Sequence, residues 1–279
     1  MFNIETPPNY RLDNPPLVQA FGQIRYATRA SLATTEGIAP VQAQLDEIFP
    51  YLEPKTVQQF SLQIGPAGPV NAGGTTSQTW LFTDDSGWSA SISADAATLM
   101  VGPTYKDFGE FSDRFRRLLD ALKRGSGVTR SNRIGIRYVN VAETPMRDPS
   151  AWQTWFSPQI TGWIGSNLLD HDTQLTTSIT QSQLSAKALD NFANLPSDVK
   201  AIIRHGLIPA KTEIPGIAFQ PASNSAFLLD IDLIVEGTQN FDTEYLTEQL
   251  TGLHDEIDRF FYWCLTEDGK RQFGFKELD

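Results

Sequence analysis

The side chains with the most chemical potential are crowded into one stretch of the chain. Between positions 114 and 137 stand Arg114, Arg116, Arg117, Lys123, Arg124, Arg130, Arg133 and Arg137, against Asp120 alone. A guanidinium donates in a planar fork, so arginines leading from a helix C-terminus into a strand suit phosphate or carboxylate. The same cations also suit the negative end of a helix dipole, which is a purely structural role. On a strand over 133–141, alternation places Arg133, Gly135 and Arg137 on one face and Ile134, Ile136, Tyr138 and Asn140 on the other. Ile24-Arg25-Tyr26 recurs as Ile136-Arg137-Tyr138, which gives Arg25 the place of Arg137 in an earlier strand. Arg25, Arg130, Arg133 and Arg137 are thus the candidate ligand-binding residues, and their chemistry fits a small anion or nucleotide. The competing role for Arg25 and Arg137 is pairing with Asp230 and Asp232, which alternate in the segment 227–235.

A second constellation is aromatic. Trp152, Trp155 and Trp163 fall close together with Phe156 and Ile160. Such a segment either packs wholly against a sheet or anchors a protein interface, where tryptophan is enriched. These three tryptophans are the candidate partner-binding residues. Nucleophilic catalysis finds little. His171-Asp172 points its two side chains apart if extended, His205 follows Arg204 on a strand, and His254 lies in an acidic helix expected to raise its pKa. No G-x-S-x-G elbow, phosphate-binding loop or G-x-G-x-x-G turn is present. Asp84, Asp85 and Asp95 sit where a turn favours aspartate on conformational grounds. Cys264 lies on the apolar side of a helix, a core position rather than a nucleophile. No motif calls for a cofactor or a metal.

Composition narrows the classes further. The chain has 279 residues, 22 Lys+Arg against 33 Asp+Glu, and a formal charge of −11. That charge disfavours DNA, whose binding rests on neutralising phosphates. A single cysteine excludes a disulfide framework and a Cys-rich zinc site, and three scattered histidines argue against a His-built metal site. No apolar run reaches the roughly 18 residues of a membrane span. Residues 1–16, with two Pro-Pro pairs, lack the basic start and apolar run of a signal peptide. A cytoplasmic setting is expected.

Stepping along the chain, 17–28 alternates as a strand and 38–52 has the helical spacing Val41, Leu45, Ile48, Phe49. A half-buried strand over 57–64 precedes a Gly/Pro/Ala-rich loop over 66–76. Residues 79–83 and 88–94 flank Asp84-Asp85-Ser86-Gly87 as a hairpin, and 97–101 is a third short strand. The strongest helix covers 105–124, with Phe108, Phe111, Phe115, Leu118, Leu119 and Leu122 in phase, closed by Gly125. The order then restarts: a strand over 133–141, a Trp-rich segment helical up to Pro158, strands over 174–184, 199–207 and 227–235, and a long helix over 241–265. The tail from 267 is polar and reads as surface. The expected fold is α+β, with an extended lead (1–16) and two pseudo-repeats (17–127 and 128–279) of strand, helix, antiparallel strands and long helix. Their sheet would be curved, continuous and covered by helices on one face, in the manner of a TATA-binding-protein-like saddle or helix-grip.

Pro15-Pro16-Leu17-Val18-Gln19-Ala20, Thr79-Trp80-Leu81-Phe82-Thr83 and Arg133-Ile134-Gly135-Ile136-Arg137-Tyr138-Val139-Asn140, with Tyr105 and Phe111 opening the long helix, resemble the hallmark segments of a sporadically distributed prokaryotic family of unassigned function. The resemblance covers mainly 15–141 and continues more weakly to about 265. Patchy distribution implies mobile islands, including defence and toxin–antitoxin cassettes, and supplies no catalytic residues. The expectation is a non-enzymatic recognition protein that binds a protein partner or a second copy of itself. The alternative is a sensor of a small anionic ligand.

Overall fold

The computed structural model describes residues 1–65, 68–143, 151–164, 168, 170, 173, 175–186, 199–213, 217, 220–221 and 225–278, leaving out the side chains of 57–65, 68–76 and 151. It is a mixed α+β structure with a large antiparallel sheet and a few helices. In chain order the strands are β1 (Tyr10–Leu12), β2 (Leu17–Tyr26), β3 (Tyr51–Gly65), β4 (Gly68–Thr83), β5 (Trp88–Ser93), β6 (Ala96–Val101), β7 (Arg130–Glu143), β8 (Ser178–Ala186), β9 (Val199–Ile208), β10 (Ala226–Asn240) and β11 (Phe275–Glu277). The helices are α1 (Thr35–Leu45), α2 (Phe108–Ser126), α3 (Ala151–Trp155), α4 (Pro158–Thr161), α5 (Thr243–Cys264) and α6 (Glu267–Gln272). Nine strands form one sheet of order β3-β4-β5-β6-β2-β7-β10-β9-β8, and β1 pairs with β11 apart from it. No helix is long and apolar enough to cross a membrane among the described residues. The chain divides into two compact units, one of residues 22–134 and 238–247, the other of 1–21, 135–237 and 248–279.

In the unit of 22–134 and 238–247, strict alternation sets the sheet's faces. Trp88, Ala90 and Ile92 of β5 and Ala97, Leu99 and Val101 of β6 are buried, while Ser89, Ser91, Ser93 and Thr98 look the other way. The buried face meets α2, whose Phe111, Phe115, Leu118, Leu119 and Leu122 are all at 0% exposure. Asp107 caps that helix by accepting from the Glu110 amide. Its end lies at Gly127 in the left-handed conformation (φ 63°), not at Gly125, which stays inside the helix. Gly125 serves packing instead, because a Cβ there would stand 2.7 Å from the Val41 nitrogen of α1. Thr34 caps α1 by accepting from the Gly37 amide. The expected loop over 66–76 is corrected: residues 68–76 belong to β4, which pairs with β3 out to Gly65↔Gly68. Glycine and proline usually interrupt sheet, yet an edge ribbon tolerates them, here with a shift of register between Phe60 and Leu62.

In the other unit β10 is buried on both sides of its pleat, with Phe227, Leu229, Ile231 and Leu233 at 0% on one side. On the other, Ala226 and Leu228 join Val18, Val139, Val141 and Ile208 in a cluster sealed by Phe21 and Ile217. The Trp-rich segment breaks at Pro158 into α3 and α4, since proline lacks the amide that would continue the first helix. Phe156 stacks on Phe227 at 4.7 Å and meets Phe273 at 5.9 Å. The tail, expected as polar surface, forms α6 and then β11, with Tyr10↔Glu277, Arg11↔Lys276 and Leu12↔Phe275 in register. Its aromatic residues explain this: Phe273 is buried, and Phe275 stacks on Tyr10 at 5.3 Å. The Tyr10 hydroxyl donates to Asp258 of α5 at 2.6 Å.

Candidate functional site

The four candidate arginines have different surroundings. Arg25 is exposed. Arg130 is exposed and donates to Asn240 Oδ1 at 2.5 Å, and Arg133 donates to Gln23 Oε1 at 2.5 Å. Arg137 makes a two-pronged pair with Asp230, its Nε and Nη2 reaching Oδ1 and Oδ2 at 2.7 and 2.8 Å. Asp230 is only 1% exposed, and Arg204 of β9 donates to its Oδ2 at 3.0 Å. Arg204 also donates from Nε to Gln181 Oε1 at 2.8 Å, and the Arg137 guanidinium lies 5.5 Å from the Phe21 ring centroid. The result is one transverse row on a single sheet face: Phe21, Arg137, Asp230, Arg204, Gln181, each from a different strand. Burial disfavours the charged form of Arg137, but Asp230 and then Asp232 outweigh it and hold its pKa above the usual value. Of the two roles open to Arg137, the Asp230 pairing is the one the geometry shows.

Three further arginines of the block, Arg114, Arg116 and Arg117, are answered locally. Arg114 pairs with Asp84 at 2.9 Å and lies 4.6 Å from the Trp88 ring centroid. Arg116 and Arg117 share Asp113 at 2.8 and 3.1 Å. Burial pushes the Asp84 carboxyl up, but donors from Ser86, Trp88 and Arg114 prevail and hold it below the usual carboxylate value. Two acids of α5 have partners elsewhere: Glu256 accepts from the Phe2 amide, the Met1 amine and Arg259, and Asp258 from Tyr10.

Among the described residues the histidines gather no catalytic pair. His254 is half-buried, and desolvation pushes its pKa down to about 4, opposite to the rise expected from its acidic helix. Desolvation is the cause of that shift. Its Nδ1 lies within hydrogen-bond distance of the Tyr138 hydroxyl, at 3.0 Å. His205 is also lowered by burial, partly offset by a backbone hydrogen bond at Ile160. His171 and Asp172 lie outside the described residues. The Cys264 thiol is buried and its pKa is pushed up by that burial.

The tryptophans separate by exposure. Trp152 is 1% exposed, and its indole donates to the Ala142 carbonyl at 3.3 Å, which makes it core. Trp155 is half-buried against Phe273, with ring centroids 6.0 Å apart. Trp163 is 46% exposed. It borders a cavity of about 280 Å³ lined by Gln159, Thr161, Ser178, Thr180, Ser182 and His205 among others. No protein-family model matches this chain, and no curated protein matches it at a significant level.

Three of those lining residues come from β8, which ends the sheet and pairs with β9 from Ser178↔Leu207 to Ala186↔Val199. Among the described residues its outer edge faces no other strand. The whole strand, Ser-Ile-Thr-Gln-Ser-Gln-Leu-Ser-Ala, is uncharged, and no residue in it is buried. Native edges are usually guarded by charge, proline or a bulge against further pairing, and β8 has none of these. Sequence reasoning assigned β8 as a strand but missed it as a surface. The signal was present: residues 173–186 hold no Lys, Arg, Asp or Glu in an otherwise strongly acidic chain.

Proposed function

We propose that this chain is a non-enzymatic recognition protein whose protein partner docks on the end of the unit that carries Trp163 and β8. One observation carries the reading. Among the described residues, seven large apolar side chains are exposed, and four of them, Trp163, Leu168, Ile179 and Leu184, fall within positions 163–184. Exposed apolar groups concentrated at one end of a unit mark interaction sites, although Ile179 and Leu184 lie on opposite faces of β8, and tryptophan is among the residue types that most often anchor interfaces. The neutral, hydroxyl-lined cavity beside Trp163 offers hydrogen bonds to a docked segment without selecting for charge. On the family resemblance, the biological setting is a prokaryotic defence or toxin–antitoxin system. The same proposal includes the two-repeat, saddle-like plan. It is supported by the chain order β2-α1-β3-β4-β5-β6-α2 followed by β7-α3-α4-β8-β9-β10-α5. The sensor alternative has less support, because Arg130, Arg133 and Arg137 already donate to Asn240, Gln23 and Asp230.

The test is recovery of a stoichiometric partner, followed by titration of that purified partner against Trp163→Ala and Arg25→Ala variants. The proposal expects Trp163→Ala to weaken binding by about 10-fold or more, as for an interface anchor, and Arg25→Ala to leave it unchanged. Equal affinity of the Trp163→Ala variant and the parent, or a bound nucleotide in place of a protein, would overturn it.

A further inference from the structure

We propose that the outer edge of β8 pairs antiparallel with β8 of a second copy of this chain, joining two sheets across a two-fold axis. This rests on the reading that the β8 end is the recognition surface, and it names one occupant of that surface. The first support is electrostatic. Each copy carries −11, so two copies repel unless they approach through neutral surface, and β8 has no charged residue along its nine positions. The second is self-complementarity of the strand. With the axis at Ser182, Gln181 of one copy faces Gln183 of the other, Thr180 faces Leu184, and Ile179 faces Ser185. Amide meets amide, a β-branched side chain meets Leu, and no like charges are opposed. The third is the edge itself. Unpaired strand N–H and C=O groups form a template for another strand, and a two-fold axis makes the same patch serve both partners. Gln181 is already oriented by Arg204, which donates to its Oε1 and so presents the amide in a fixed pose.

One strand of nine residues covers less than the roughly 800 Å² per partner of a standard interface, so the dimer is weak and depends on concentration. The experiment is sedimentation equilibrium of the full chain from about 1 to 200 µM, a range that reaches weak association. It is paired with a cross-linking arm. Ser182→Cys places two thiols across the axis at a Cα separation near 5 Å, within disulfide range. The only native cysteine, Cys264, is buried and does not compete. The parent should shift from monomer to dimer with concentration, and oxidised Ser182→Cys should migrate as a covalent dimer while Ser185→Cys remains monomeric. A double variant, Ser182→Lys with Gln183→Lys, should be monomeric, as should the matching double Glu variant, and an equal mixture of the two should restore the dimer. Unchanged urea midpoints would show that the variants remain folded. A parent that is monomeric throughout, or a dimer indifferent to the β8 substitutions, overturns the self-pairing. If Trp163→Ala still weakens a separate protein partner in that case, the broader recognition role stands without it.

Discussion

Replacing Asp230 with Asn removes one negative charge from a position at 1% exposure and leaves Arg137 and Arg204 side by side with a single neutral amide oxygen, its NH2 group now facing their donors, in place of the shared carboxylate. Breaking a fully buried pair by deleting one partner costs about 3–5 kcal/mol. Here the two guanidinium side chains are 25% and 32% exposed, so water can take up part of their charge. A loss of about 2–4 kcal/mol is therefore expected. The ordering within the row is sharper than any single value. Arg137→Met should cost about 2 kcal/mol, because it breaks a bidentate pair and leaves the buried carboxylate with one donor. Arg204→Met should cost about 1 kcal/mol, since it removes one contact from a more exposed side chain. A variant with Asp230→Leu, Arg137→Met and Arg204→Met together should regain much of the loss, because apolar replacement of a whole ionic cluster is often neutral. Urea unfolding followed by circular dichroism gives each value. The reasoning fails if Asp230→Asn costs less than about 1 kcal/mol, a charge so cheaply removed being one the fold does not need, or if Arg204→Met costs more than Asp230→Asn.

Three other outcomes follow from the same structure. His254 has a folded pKa of about 4 against an ordinary 6.5. The unfolded chain therefore binds a proton that the folded one refuses as pH falls through 6.5 towards 4, and stability should drop by about 3 kcal/mol across that window; His254→Gln should flatten this part of the pH profile. Gly125→Ala should cost about 1–3 kcal/mol by forcing a Cβ onto the Val41 backbone, whereas Gly127→Ala, which meets open space, should cost about 1 kcal/mol from its positive φ alone. Thermal and urea denaturation distinguish the two, and Gly127→Asn should be milder than Gly127→Ala. Trp152→Ala should destabilise by about 3–5 kcal/mol while Trp163→Ala stays within about 0.5 kcal/mol, because only the first is core.

Where hydrophobic period and burial agree, the sequence was legible. The 3.6-residue phase of Phe111, Phe115, Leu118 and Leu122 located α2, and the alternation of Trp88, Ala90 and Ile92 located β5. The turn at 84–87 was legible from its Asp/Ser/Gly chemistry, which the Asp84 carboxylate confirms by accepting from Ser86 and Trp88. What failed lay outside single-segment patterning. Residues 68–76 read as loop because of their glycine and proline, and only pairing with the preceding strand β3 makes them sheet. The tail read as surface because Phe273 and Phe275 are outnumbered by polar neighbours, although two aromatic anchors suffice to dock it. Arg137 could be seen as a chemical residue, and its acceptor Asp230 was among the acids weighed for it, but Arg204, the other half of that contact, has no sequence signature. His254 shows the same limit in energy: charge along a helix is visible in sequence, and desolvation is not.

The composition of the second unit has a consequence for biosynthesis. It is assembled from residues 1–21, 135–237 and 248–279, and Tyr10 reaches Asp258 across 248 positions of chain. Its first segment must wait on the ribosome until α5 has been made, at about 5–20 residues per second, whereas 22–134 supplies most of the other unit much earlier. Contacts so far apart in sequence also form slowly once the chain is free. During that interval the neutral strand β8 and its partner β9 are already synthesised while the rest of their unit is incomplete. Truncation before α5 should therefore yield an insoluble product.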